Sequence, residues 1–248
     1  MTTRVAAVLS SSQPYAGAVR RVVTIVLSIA LLVVAGCQHR EPLRDKEIVE
    51  LNFTVNRIAV IGDSYTTGSD EGGLDAKGWP TQAWQILARQ GVATTADVGA
   101  EGGAGYGTRG NRGSLFEDLT AATVKPDDTL VVFFGSRNDQ RVDPTQLSIL
   151  IYGTFQLARR IAPAARLLVI GPPWPTADVP AEVTRIRDTL AYQADLAGAT
   201  FIDPIAARWF VDRPELIGSD GVHPTDAGHT YMAEKIAPLI GAQLPRGI

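Results

Sequence analysis

The chain has 248 residues, of which 23 are basic and 26 acidic, and its formal net charge is −3 at pH 7. This acidic balance lacks the basic surface that a nucleic-acid partner requires, which excludes that class of partner. A single cysteine rules out an intramolecular disulfide, and together with three histidines it argues against a metal enzyme.

An uncharged segment near the amino terminus is typical of a secretory signal. Arg20 and Arg21 precede residues 22–35, all of which are apolar or small. This run is shorter than the about 20 residues that cross a bilayer, and it has the length of a signal-peptide core. We therefore predict that the first part of the chain directs export.

The residues that end this segment indicate the type of signal. Val34-Ala35-Gly36-Cys37 resembles the lipobox of bacterial lipoproteins. The resemblance implies a lipoprotein signal peptide over residues 1–36, lipidation of Cys37, and anchoring to the extracytoplasmic face of the cell membrane. Residues 37–55 mix charges without apolar periodicity and are predicted to form a tether. An uncleaved membrane anchor and an ordinary secretory signal are the alternatives.

The first apolar run after the tether, residues 57–61, ends at Gly62 and predicts a strand buried on both faces. Asp63 and Ser64 follow directly, at the carboxyl edge of the predicted sheet, where open α/β sheets bind ligands. A serine at this edge can act as a nucleophile if a nearby base removes its proton. A tight turn with Ser64 as a helix N-cap is the alternative.

Two further predicted strands end in polar loops at the same edge. Residues 92–98 precede a glycine-rich loop that contains Gly102, whose backbone N–H could approach a substrate closely. Residues 129–134 are strongly apolar and precede Asn138, which carries a side-chain amide. Hydrogen-bond donors of this kind stabilise the oxyanion that forms during acyl transfer.

The remaining segments alternate between helical and strand patterns. Apolar residues at helical spacing predict helices that begin near Trp79, extend from Leu147 to Ile161, and cover residues 183–190 and 232–240. Apolar runs predict strands at residues 166–171 and 199–203. This alternation predicts one α/β domain over residues 56–248, in which a parallel sheet of about five strands lies between two helical layers.

Of the three histidines, His223 is the candidate base, because it follows a carboxylate at a spacing that could orient its ring. Asp220 lies three residues earlier, in a turn before a helix, where it can bond to Nδ1 and leave Nε2 free for Ser64. His39 lies in the predicted tether and is expected to be solvated. His229 is expected to be half-exposed and structural.

Four blocks in this order resemble the SGNH (GDSL-type) hydrolase superfamily. Gly62-Asp63-Ser64 matches the first block, residues 97–102 match the second, and residues 220–224, Asp-x-x-His-Pro, match the last. The third block, Gly-x-Asn-Asp, falls on residues 136–139, where Ser136 replaces the glycine. Gly135 lies one residue earlier, so this departure concerns the geometry of the loop around Asn138.

The resemblance implies a flavodoxin-like fold and a serine-dependent hydrolase of carboxylic esters, without a cofactor. Ser64, His223 and Asp220 would form the catalytic triad, and the N–H groups of Ser64 and Gly102 with the Asn138 amide would form the oxyanion hole. Small-molecule, glycan or lipid esters of the cell envelope would be the substrates. The loops between the blocks are rich in Gly, Asp, Arg and Pro, which favours short acyl groups such as acetyl. An acyltransferase, a lysophospholipase or lipase, and a non-catalytic ligand-binding envelope lipoprotein are the alternatives.

The glycine-rich stretch also permits a competing interpretation. Residues 105–110 read Gly-x-Gly-x-x-Gly after a predicted strand, as in a dinucleotide-binding fingerprint. That fingerprint opens directly into a helix and has an acidic residue about 20 positions later at a strand end. Here Gly113 follows instead, and Asp127 and Asp128 precede a strand. Nucleotide binding is therefore disfavoured, and the lack of a Gly-Lys-Ser/Thr sequence excludes a P-loop.

Overall fold

The computed structural model describes residues 55–245. The predicted signal peptide over residues 1–36, Cys37, His39 and residues 38–54 of the tether lie outside the described residues. Within residues 55–245, strands and helices alternate as follows: β1 Asn56–Gly62, α1 Ser64–Thr67, α2 Trp79–Arg89, β2 Thr94–Ala100, α3 Phe116–Thr123, β3 Leu130–Phe134, α4 Pro144–Ile161, β4 Arg166–Ile170, α5 Ala181–Leu196, β5 Thr200–Ile202 and α6 Asp226–Gln243. Short 3₁₀ helices occupy Asp75–Lys77, Arg137–Arg141 and Pro214–Leu216.

The strands form one parallel sheet in the order β2-β1-β3-β4-β5. The strand order reverses between β1 and β3, so the chain leaves these two neighbours toward opposite faces of the sheet. A crevice opens at their carboxyl ends for this reason, and such crevices are where open α/β sheets bind ligands. The predicted α/β domain with a parallel sheet of about five strands is confirmed.

Helices cover both faces of the sheet, because successive side chains of a strand point to opposite faces. One core lies against α2 and α6, and the other lies against α3, α4 and α5. From β1 and β3, Ile58, Val60, Val132 and Phe134 enter the first core, whereas Ala59, Ile61, Val131 and Phe133 enter the second. Full burial of such an aliphatic or aromatic side chain is worth about 1.5–3 kcal/mol. The two central strands are therefore a stable support for the loops at their ends.

Strand β2 differs most from its predicted bounds. The sequence predicts a strand over residues 92–98, whereas β2 runs from Thr94 to Ala100 and contains Gly99. Its residues are half-exposed or exposed because it is the edge strand, so no apolar run defines its ends. Pairing with β1 sets its limits instead, from Asn56 with Thr94 to Gly62 with Ala100.

Helix α3 is not predicted from the sequence. It has eight residues, and Phe116 and Leu119 are its buried apolar side chains. Two apolar positions in two turns give too little periodicity to distinguish a helix from a loop. None of the helices between residues 55 and 245 combines the length and hydropathy needed to cross a lipid bilayer.

Candidate active site

A cleft of about 630 Å³ opens at the carboxyl ends of β1, β2 and β3. Four of the residues that the sequence predicts for the site line this cleft, namely Ser64, Gly102, Asn138 and His223. Asp220 contacts His223 from behind. The fold thus brings together side chains that are separated by up to 159 positions in the sequence.

Ser64 begins helix α1, immediately after the central strand β1. The Asp63 side chain caps this helix by accepting a hydrogen bond from the Tyr65 N–H at 2.9 Å. Ser64 Oγ lies 3.0 Å from Nε2 of His223, which is hydrogen-bonding distance. The alternative in which Ser64 is the N-cap is wrong, because Asp63 caps this helix and Ser64 is its first residue. The Ser64 hydroxyl contacts an imidazole instead.

Asp220 holds the opposite side of the His223 ring. Its Oδ2 lies 2.6 Å from His223 Nδ1, and its Oδ1 accepts the N–H groups of Val222 and His223 at 2.8 and 2.9 Å. Desolvation opposes ionisation of Asp220, but the hydrogen bonds from His223 and from the two backbone groups outweigh it and lower its pKa to about 2. An ionised carboxylate at Nδ1 fixes the tautomer that leaves Nε2 facing Ser64 as an acceptor.

Two residues that line the cleft have backbone donors without a hydrogen-bond partner in the described part of the chain. Among residues 55–245, neither the N–H of Ser64 nor that of Gly102 donates a hydrogen bond to another protein group. The backbone around Gly102 is fixed nevertheless, since its carbonyl accepts a hydrogen bond from the Asn111 N–H at 2.9 Å. Unpaired N–H groups at a cleft are available to a ligand oxygen.

Asn138 is held by the hydroxyl of Ser136, the residue that stands where the family pattern has a glycine. The buried Ser136 accepts the Asn138 N–H at 3.0 Å and donates its own hydrogen to the Ala104 carbonyl at 2.8 Å. Asn138 Nδ2 donates to the same carbonyl at 2.8 Å and lies 3.5 Å from Asp63 Oδ2. Ser136 in place of glycine therefore fixes this loop with Asn138 at the cleft. The second amide hydrogen has only a long internal contact.

Two buried carboxyl groups beneath the cleft were not singled out from the sequence. Burial raises the pKa of Asp63 to about 6, although the hydrogen bond from the Tyr65 N–H and the charge of Arg137 oppose the shift. Burial also raises the pKa of Asp139, against hydrogen bonds from the N–H groups of Gly107, Tyr106 and Thr108. No local signal reveals that Asp139 accepts hydrogen bonds from this loop, because its partners lie 31–33 positions earlier in the sequence.

The prediction for His229 is wrong in one respect, because its side chain is fully buried rather than half-exposed. Its Nδ1 accepts a hydrogen bond from the Trp79 N–H at 3.3 Å, and Gly73 packs directly against its ring. Burial lowers the pKa of His229 to about 4, although the Asp226 carboxylate opposes this shift. The Trp79 N–H gives the neutral imidazole a hydrogen bond, and Gly73 leaves space for its ring in the core. Both residues are distant in the sequence, so the residues around His229 do not reveal its burial.

The buried His229 should make the folded state sensitive to acid. Its folded pKa lies below its unfolded value, so its stabilisation is complete above pH 6.5 and is lost as pH falls toward 4. We expect a loss of about 3 kcal/mol over this window. His229→Asn keeps an acceptor for the Trp79 N–H and has nothing to titrate.

The difference in unfolding free energy between the wild type and His229→Asn should therefore change with pH, measured with urea at pH 4.5, 5.5 and 7. Groups that titrate equally in both proteins cancel in this difference. A difference that stays constant across the three pH values would show that His229 does not control acid stability.

A sequence profile of the GDSL-like lipase/acylhydrolase family matches residues 60–231 of the chain. The chain belongs to this family. The matched region runs from within β1 to within α6 and includes every cleft residue named above. Family membership confirms the resemblance to GDSL-type hydrolases and makes the protein a carboxylic ester hydrolase. Among residues 55–245, no group of three or more His, Cys, Asp or Glu side chains could hold a metal ion.

Individual relatives agree with this assignment. A Mycobacterium tuberculosis protein described as GDSL lipase Rv0518 is 58% identical over 224 residues, which cover 89% of this chain and 97% of the relative. The crystal structure of TesA has a TM-score of 0.60 at 21% identity, over 76% of this chain and 100% of TesA. An aryl esterase of M. smegmatis has a TM-score of 0.57 at 17% identity, over 77% of this chain and 100% of the esterase. At these identities the structural likeness concerns the fold alone.

Proposed function

We propose that the protein hydrolyses carboxylic esters of the bacterial cell envelope through Ser64, His223 and Asp220, acting as a catalytic triad. The observation that carries this proposal is the series of hydrogen-bonding contacts from Asp220 Oδ2 to His223 Nδ1, at 2.6 Å, and from His223 Nε2 to Ser64 Oγ, at 3.0 Å. A ligand-binding protein without catalysis has no need to hold a hydroxyl against an oriented imidazole. This argues against the non-catalytic alternative.

The reaction would proceed through an acyl-enzyme. His223 Nε2 takes the proton of Ser64 while Oγ attacks the ester carbonyl carbon, and the imidazolium then returns that proton to the leaving alcohol as the C–O bond breaks. The same imidazole next removes a proton from water, which attacks the acyl-enzyme and releases the carboxylic acid. Asp220 orients the ring and stabilises the imidazolium in both steps. An acyltransferase would differ only in the acceptor, because a second alcohol would replace water.

Three donors would stabilise the negative charge on the carbonyl oxygen during both attacks. The N–H groups of Ser64 and Gly102 line the cleft and have no partner among residues 55–245. The third donor would be the Asn138 Nδ2 hydrogen that has only the 3.5 Å contact with Asp63. Donors that are held in place before the reaction need no reorganisation when the charge develops.

The walls of the cleft support a short acyl group on a polar alcohol. Charged and polar side chains dominate the lining, including Asp70, Arg112, Arg137 and Gln140. These groups would lose their hydration against a long alkyl chain without gaining hydrogen bonds. Hydroxyl groups of a sugar could replace that hydration.

A second cavity is a candidate binding site for the acyl chain of a lipase substrate. It has a volume of about 410 Å³ and lies between residues 175–177 and residues 211–218, where Gly221 of the loop between Asp220 and His223 also lines it. Pro175, Ala177, Val211 and Ile217 give its wall an apolar character that could take a long acyl chain. The relative described as a GDSL lipase favours the same alternative.

Measuring kcat/KM for p-nitrophenyl esters from acetyl to palmitoyl tests the proposal and separates these two substrates. We expect the highest value for acetyl or butyryl esters and a decline with chain length. An increase that continues beyond about eight carbons, as an apolar acyl pocket would give, would identify a lipase instead. No turnover of any ester would contradict the proposed hydrolase itself.

The proposed place of action rests on the amino-terminal sequence, namely the lipobox-like Val34-Ala35-Gly36-Cys37. Lipidation of Cys37 would hold the domain beside envelope glycans and lipids. Cys37→Ser should remove the protein from the processed, detergent-soluble lipoprotein fraction of cells without changing kcat/KM of the purified domain. Recovery of the wild type in the soluble cytoplasmic fraction would contradict envelope anchoring.

A further inference from the structure

A segment between α1 and α2, residues 68–78, contacts the segment that carries Asp220 and His223. We call residues 68–78 the strap. The Gly73 N–H donates to Asp226 Oδ1 at 3.0 Å, and Lys77 Nζ lies 2.6 Å from Asp226 Oδ2. The strap therefore connects the part of the chain that follows the nucleophile with the start of α6, which follows the base.

The contact nearest to the triad is made by Glu71. Its Oε2 accepts the Ser219 N–H at 2.9 Å, and its Oε1 accepts the Ser219 hydroxyl at 2.8 Å. Gly218 packs so closely on this side chain that an added Cβ would lie 2.3 Å from Oε2. Both carboxylate oxygens are thus committed to the residue that immediately precedes Asp220.

The loop that carries the base has hydrogen bonds of its own, from the Gly218 N–H to the His223 carbonyl at 2.8 Å and from the Gly221 N–H to the Gly218 carbonyl at 3.0 Å, and contacts from other segments add to them. Asp220 and Ser219 are exposed, and Gly221 has a φ of 68°, a left-handed conformation that adds freedom to the unfolded loop. From the opposite side, the Tyr65 hydroxyl donates to the Val222 carbonyl at 2.5 Å. Tyr65 and Glu71 hold the loop from two sides, and both follow Ser64 closely in the sequence.

We propose that Glu71 is a positioning residue for the reaction: its two hydrogen bonds to Ser219 set the Asp220–His223 pair at the distance from Ser64 that proton transfer needs. This inference rests on the proposed function of the triad. Glu71 itself touches no reacting atom, so it acts through the loop. A misplacement of about 1 Å in a catalytic group can cost about 100-fold in rate, which is the scale of effect that such a contact can control.

Glu71→Ala should lower kcat by about 10- to 100-fold on a short-chain ester while KM changes by less than about threefold. Glu71→Gln should recover most of the activity, since its carbonyl oxygen accepts the Ser219 N–H and its amide can donate to the Ser219 hydroxyl. Glu117→Ala, at an exposed acid in the first turn of α3, is the matched control and should behave as the wild type.

Two further readouts separate positioning from a general loss of structure. Ser219→Ala should reproduce part of the loss, and the Glu71→Ala/Ser219→Ala double variant should be no slower than Glu71→Ala alone, because both changes break the same contact. The rising limb of the kcat/KM profile should also move to lower pH in Glu71→Ala, because a displaced Asp220 stabilises the imidazolium less. A structural role without positioning would leave this profile in place.

These experiments distinguish failure of the proposed hydrolase function from failure of the positioning role of Glu71. A wild type that turns over no ester and takes up no serine-directed phosphonate would refute the proposed function. A wild type that is active, with Glu71→Ala equal to Glu117→Ala in kcat and pH profile, would refute the positioning role alone. Equal losses in Glu71→Ala and Glu71→Gln, with the pH profile unmoved, would also overturn it.

Discussion

Replacing Ser64 by alanine is expected to reduce kcat by at least about 10⁴-fold, since among residues 55–245 no other hydroxyl contacts His223 Nε2. Alanine fits the first position of α1, and the Asp63 cap and the Tyr65 hydrogen bond do not involve the Ser64 side chain. The variant should therefore keep the wild-type thermal unfolding midpoint. Covalent labelling by a fluorophosphonate, followed by mass spectrometry, should map to the peptide with Ser64 in the wild type and vanish in Ser64→Ala.

His223→Ala should lower kcat nearly as much as Ser64→Ala does. The double variant should have a kcat no lower than either single variant, because members of a triad act as a unit. Additive losses would mean that the two residues serve separate steps. Labelling of Ser64→Ala at the wild-type rate would place the nucleophile elsewhere and remove the mechanism.

Asn138→Ala should lower kcat by about 10²- to 10³-fold, the usual effect of losing one oxyanion donor, with a much smaller change in KM. The reason is that a donor to the oxyanion stabilises the transition state more than the bound ester. Stopped-flow or steady-state kinetics on one short-chain ester would measure it. Gln146→Ala, an exposed amide in α4, serves as the control for loss of an amide side chain.

The structure also specifies how this prediction could fail. Asn138 Nδ2 already donates to the Ala104 carbonyl, so its removal could loosen that loop rather than remove an oxyanion donor. Ser136→Ala removes the neighbouring hydrogen bond to the same carbonyl and the acceptor of the Asn138 N–H, but it keeps the Asn138 side chain. If Ser136→Ala were as slow as Asn138→Ala, loop order and not oxyanion stabilisation would explain the loss.

The central part of the fold is predictable from sequence because it is buried on both faces. Strands β1, β3 and β4 read as continuous apolar runs, and their bounds differ from the prediction by at most one residue at either end. The edge strand β2 and the short helix α3 contribute few buried side chains, so their limits come from pairing and packing with distant residues. Information of that kind is not contained in a local pattern.

The same distinction applies to the site. Ser64, Asp220 and His223 stand in recognisable local patterns, and their side chains meet as those patterns indicate. The residues that hold them have no such signal. Glu71 contacts Ser219, which precedes Asp220, although 148 positions separate them in the sequence. In the core, the contact between Trp79 and His229 joins residues 150 positions apart. Only the folded chain reveals that the strap contacts the loop that carries the base.

If Ser64 and His223 act as proposed, the 159 positions between them also set the order in which the enzyme gains its activity. A ribosome finishes the nucleophile and the whole parallel sheet before it adds Asp220, His223 and α6. A nascent or truncated chain that stops short of residue 220 would then contain Ser64 without the His223 imidazole, and we expect it to be inert toward esters. Cleavage in the exposed stretch between β5 and α6 would have the same consequence if the last helix were released. Ester turnover would consequently report that the carboxyl-terminal part of the chain is complete and docked.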